Sequence, residues 1–120
     1  MRAFTSGLVV FLAAGALVIA HHGLAAFDQT NKVTLKGTVT EFHFLNPHAV
    51  VEFEVKGDKE HVQKWQAEMT SPGHLKGWTA TSLEPGNVVT VTGYRAKSGA
   101  FYLWVTDLSS SNGVELRAPK

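Results

Sequence analysis

From residue 33 onward, the alternation of apolar and polar side chains reads as β-strand almost without a break. Val33, Leu35 and Val39 fall on one face, and Thr34, Lys36, Thr38 and Thr40 on the other, the two-residue period of a half-buried strand. The apolar phase then slips, because Phe42 and Phe44 are even-numbered. A slip inside one strand requires an extra residue or a sharp coil, and Gly37 is the expected place for the bend. Asn46-Pro47 ends the strand in a turn, since proline donates nothing to the ladder. The second strand is predicted from Ala49 to Lys56, with Val51, Phe53 and Val55 inward and Glu52, Glu54 and Lys56 outward. After the turn Gly57-Asp58-Lys59, the third runs from His61 to Thr70. Its Trp65, Ala67 and Met69 point inward, and its Lys64, Gln66 and Glu68 outward.

Ser71-Pro72 then predicts a short helix, with serine as N-cap and proline at the first helical position. Leu75 and Trp78 form its apolar face, and it should end near Gly77–Thr79. Pro85-Gly86 centres the next turn. Val88 to Tyr94 is a fourth strand, Lys97-Ser98-Gly99 a turn, and Phe101 to Leu108 a fifth strand. Phe101, Leu103 and Val105 share one face of this strand and Tyr102 and Trp104 the other, so both faces are apolar. Such a strand lies between two layers or presents an aromatic surface. Val114 to Leu116 adds a short closing strand. The order predicts a mainly β domain: a small five-stranded Greek-key barrel of the OB-fold type, with one short helix between strands 3 and 4. An open sandwich is the competing architecture.

The first 20 residues follow another pattern. Met1-Arg2 is a short positive start, Ala3 to Ala20 carries no charge, and Val18-Ile19-Ala20 ends the run with a small residue. The apolar stretch is about 12–14 residues, short of the ~20 that span a bilayer. This predicts a secretory signal-peptide helix over residues 1–20, cleaved after Ala20, with 21–120 as one domain, periplasmic or secreted and without stable membrane insertion. An uncleaved anchor is the alternative, because the uncharged run continues to Phe27.

Composition sharpens this. The 120 residues include 11 Lys+Arg, 10 Asp+Glu and no cysteine. Losing Arg2 with the signal leaves a neutral domain, and a neutral exported domain argues against nucleic acid as a partner. Without cysteine there is no thiolate chemistry of any kind. No nucleophile elbow, Walker loop or dinucleotide fingerprint occurs. An enzyme using Glu68 with a histidine is the weakest reading, since an outward strand position makes Glu68 a solvated carboxylate. No catalytic residue is assigned.

Six histidines remain: His21, His22, His43, His48, His61 and His74. Cleavage after Ala20 would make His21 the N-terminus. Its α-amine and ring Nδ1 then chelate one metal ion, and a third nitrogen completes a tetragonal set that suits Cu(II). An α-amine of pKa about 8 loses its proton to a metal at little cost. His48, behind the rigid Asn46-Pro47 turn, is the expected third ligand, with His22 as an alternative. Glu41 and His43 lie two apart on one strand face. His61 and His74 read as solvated. Tyr102 and Trp104, with Glu68, are the candidate contacts for a glycan, peptide or envelope protein on the barrel face, or Tyr102 and Trp104 cover the core under the helix or the N-terminal segment.

The run His21-His22-Gly23-Leu24-Ala25-Ala26-Phe27-Asp28 resembles the start of a family of short exported bacterial proteins of unknown function. In these proteins a His-His-Ser-Phe-Ala-like segment follows the signal. The resemblance continues through Thr34-Leu35-Lys36-Gly37-Thr38-Val39-Thr40 to Asn46-Pro47-His48-Ala49, then Trp65 with Glu68. It goes on through Ser71-Pro72, Gly77-Trp78-Thr79 and Leu83 to Lys97. It implies a small exported OB-like domain and places His21, His22 and His48 at motif positions. It carries no activity. Gly23 stands where many relatives have serine, and Val50 where an aromatic is common. The sequence thus leads to a periplasmic binding module with a Cu(II)-type site, or to a metal-free interaction domain.

Overall fold

The computed structural model describes residues 23–117. The signal-peptide reading of residues 1–20, the cut after Ala20, and His21 and His22 lie outside the described residues. Six strands are present among the described residues: β1 (Phe27–His43), β2 (Val50–Lys56), β3 (Val62–Glu68), β4 (Val88–Ala96), β5 (Tyr102–Ser110) and β6 (Glu115–Leu116). They form one sheet in the order β3-β2-β1-β4-β5-β6, with antiparallel neighbours. A parallel pairing of Gln66, Ala67 and Glu68 with Tyr102, Leu103 and Trp104 also joins β3 to β5. Among the described residues, no helix is long and apolar enough to cross a membrane.

The helix expected after Ser71 does not form. Pro72–His74 is a single 3-10 turn, and Ser71 makes no side-chain cap to it. Gly73 and Gly77 both fall within this stretch, and two glycines in so short a segment cannot repay the cost of helix nucleation. The Ser71 hydroxyl instead meets His74 Nδ1 at 2.9 Å. Leu75 still drops into the core, 3% exposed.

The phase slip in β1 is a bulge, and it lies at Thr40. Val39 pairs with Phe53, and Glu41 with Glu52, so two residues of β1 advance against one of β2. Odd positions face the core before the bulge and even ones after it, as Val39 and Phe42 show. Gly37, the expected bend, does a different job. It lies where β1 passes from β4 to β2, and a Cβ there would come within 2.4 Å of the Glu54 carbonyl oxygen. The core gathers the inward rows of every long strand: Val39, Val51, Phe53, Trp65, Ala67, Met69, Val89, Val91, Leu103, Val105 and Leu108, closed by Leu75 and Leu83. Phe101, expected inward, precedes β5 and is 42% exposed. Its ring lies 5.0 Å from that of Trp65.

Candidate functional site

Residues opposite one another in a ladder share a face, so the register carries the outer face across the sheet. One row runs His43, Val50, Glu68, Trp104, and the next runs Glu41, Glu52, Gln66, Tyr102. Glu68 is therefore outward in phase, as its strand position predicts. It is not solvated, however. Its exposure is 0%, which corrects the expectation of a surface carboxylate. The reason lies at the start of β1. The 3-10 turn Leu24–Ala26 is tied to the end of β4 by a Lys97 N–H to Ala26 carbonyl bond of 2.9 Å. That delivers Phe27 onto the outer face rather than into the main core. Its ring stacks on Tyr102 at 5.8 Å and lies 6.2 Å from Trp104. Tyr102 and Trp104 are half-buried beneath it.

Both oxygens of the buried carboxylate are satisfied. His48 Nδ1 donates to Oε1 at 2.6 Å and the Tyr102 hydroxyl donates to Oε2 at 2.5 Å. The turn containing the cis Asn46–Pro47 peptide brings His48 to this point, where its ring meets Trp104 edge-on at 5.1 Å. Magnitudes say what the cluster is for. Hydrogen bonds to a charged group contribute about 1.5–3 kcal/mol each, whereas burying the charge costs several kcal/mol. The two nearly cancel, so the charge itself adds little net stability. The carboxylate instead fixes the histidine. With Nδ1–H held by Glu68, Nε2 is the nitrogen with a free lone pair, and no described residue hydrogen-bonds it. A metal ligand is commonly oriented in this way.

Burial first, then the hydrogen bond to Glu68 and its charge, push the Tyr102 phenol well above its ordinary range. A phenol held more tightly in the folded state contributes fully below its unfolded pKa of about 10, and that contribution is lost as pH rises beyond it. Tyr102→Phe should therefore flatten the alkaline limb of a melting-temperature profile above about pH 10. Parallel limbs for the two proteins would contradict the arrangement.

The structure thus joins His48, expected as a metal ligand, to Glu68, Tyr102 and Trp104, expected as contacts on the barrel face. Their cover comes from the N-terminal segment, one of the two expected sources, and Phe27 is the residue that supplies it. The signal was present: an aromatic outer row on β5 means a covered face, and Glu68 shares that row. His61 and His74 are exposed as expected. Glu41 and His43 gain a partner from β2 that sequence spacing did not reveal, Glu52, whose carboxylate lies 2.5 Å from His43 Nε2. A groove of about 500 Å³ crosses this face, with Glu52, Gln66, Phe101 and Tyr102 in its lining.

No curated protein matches the chain. Two solved structures are similar to it. One is the ZRD-deleted mutant of TiaS in complex with agmatine, with 20% identity and TM-score 0.47 over 78% of this chain. The other is TiaS in complex with tRNA and ATP, with 21% identity and TM-score 0.47 over 75% of it. The chain spans only 24% and 19% of those proteins, a likeness too slight to carry function. A family model matches the chain from the apolar N-terminal run through β1 to the Tyr102 that holds Glu68, and by that match over residues 9–102 the chain belongs to DUF6152, a family of unknown function.

Proposed function

We propose that the processed chain is an exported, periplasmic, OB-like module that binds Cu(II) through the His21 amine and ring and through His48 Nε2, with His22 or water completing the set. The role is sequestration or delivery of the ion, not turnover. The observation that carries this reading is His48. Its Nδ1 is locked by a fully buried carboxylate that Tyr102 anchors in turn, which leaves a single oriented nitrogen for a metal. The N-terminal turn supports it as well. Gly23, two residues after His21, opens the turn that sets Phe27 on Tyr102 and Trp104. Two residues reach at most about 7 Å further. The strand order and the β3–β5 pairing support the OB-like barrel.

The test is a Cu(II) titration of protein purified from the exporting cell, with its N-terminal mass and electron paramagnetic resonance spectrum. Nitrogen couplings and one equivalent of copper are expected, with affinity lower by at least ~10-fold in His48→Ala, the scale on which even outer-shell partners act. Equal, weak binding by both proteins, or a mature N-terminus other than His21, would overturn the reading. The groove beside Tyr102 favours a second one, a glycan or peptide ligand on the barrel face. That ligand would be lost in Phe101→Ala and retained in His48→Ala.

A further inference from the structure

We infer that Glu41, His43 and Glu52 form a second cation site, for a divalent ion of the zinc class, separate from the histidine nitrogens proposed above. The bulge at Thr40 creates the cluster. It brings Glu41 directly opposite Glu52 across the β1–β2 ladder, and like charges directly opposite destabilise a sheet. His43, two residues along the same face, turns Nε2 toward both carboxylates, 2.5 Å from Glu52 and 3.7 Å from Glu41. One donor atom from each residue lies within 4.8 Å of the others.

Four-coordinate zinc with bonds near 2.0–2.1 Å separates neighbouring donors by about 3.3 Å. The two His43 distances bracket that value, so at those two pairs an ion enters with donor shifts below about 1 Å. The donor set is one imidazole and two carboxylates, a borderline mixture suited to Zn(II). The site is also partly built in advance. His43 is 17% exposed and Glu52 29%, which limits the side-chain ordering that binding must supply. The exposed edge at Glu41, 64% accessible, leaves room for water as the fourth ligand. A zinc ion would neutralise the opposed carboxylates and take the Nε2 lone pair, releasing to solvent the proton that Nε2 shares with Glu52 and leaving the ring protonated at Nδ1.

The experiment is Zn(II) calorimetry on the protein carrying His48→Ala, which removes the proposed copper ligand, alongside Co(II) absorption to read coordination. One equivalent of zinc and a tetrahedral Co(II) spectrum are expected. Adding His43→Ala should lower zinc affinity at least ~10-fold, and adding Glu41→Gln should lower it too. Glu41 is exposed enough that its variant keeps the fold, so circular dichroism separates lost binding from unfolding. Zinc binding unchanged by both additions would overturn the inference. So would absence of zinc binding in His48→Ala when the wild-type protein binds it, since that result assigns both ions to His48. Zinc retained in His48→Ala and weakened by adding His43→Ala supports this site whether or not copper binds at His48.

Discussion

Alanine at position 93 is expected to leave little folded protein. Gly93 pairs with Val105 just beyond a register shift between β4 and β5. A Cβ there would sit 2.0 Å from the Trp104 carbonyl oxygen, 2.8 Å from its carbon and 3.1 Å from Val105 Cα. All three are backbone atoms, so no rotamer change relieves the clash, and the two strands must part. Overpacking costs typically 1–3 kcal/mol and sometimes more. With no flexible partner to yield, about 3 kcal/mol or more is expected, against a total stability of roughly 5–15 kcal/mol. In a domain of this size that is a fall in melting temperature of about 12–24 °C. A Gly93→Ala protein melting within ~4 °C of wild type would show that the strands accommodate the methyl group. The displacement falls on Trp104, so the edge-on contact with His48 should go with it.

Glu68 should separate stability from binding. Glu68→Ala removes both hydrogen bonds, strands the Tyr102 hydroxyl and opens a cavity at a fully buried position. About 2–4 kcal/mol of destabilisation is expected by denaturant titration. Glu68→Met fills the same space but still strands the Tyr102 hydroxyl, so it should recover only the cavity part of that loss. Yet methionine cannot hold Nδ1, so copper affinity should fall about 10–100-fold. A Glu68→Met protein that is as unstable as Glu68→Ala would make the carboxylate a structural element. One that binds copper like wild type would remove Glu68 from the metal reading.

The inward rows of β2, β3 and β5 were legible because they alternate without interruption, and Val51, Phe53, Ala67, Met69 and Leu103 are all buried. What needed a partner distant in sequence was not. Glu68 could be placed on its face but not under Phe27, because nothing local to β3 records that the first strand begins by folding over it. Glu52 could not be joined to His43 without the register, and the register depends on where the bulge falls. Gly37 reads as the bend because glycine is the usual marker of one. The glycine answers to a close backbone approach, and an ordinary threonine carries the extra residue. Ser71-Pro72 misleads in the opposite direction, since capping residues announce where a helix can start and not whether enough good helix formers follow.

The bulge at Thr40 also fixes a parity in the chain. Phe42 reaches the core and His43 the outer face only because an odd number of extra residues precedes them in β1. Removing or adding one residue in this stretch exchanges their faces, sending Phe42 to solvent and His43 with Glu41 toward the core. Removing or adding two leaves every face as it was. Length variation between Val39 and His43 should therefore be tolerated only in even steps.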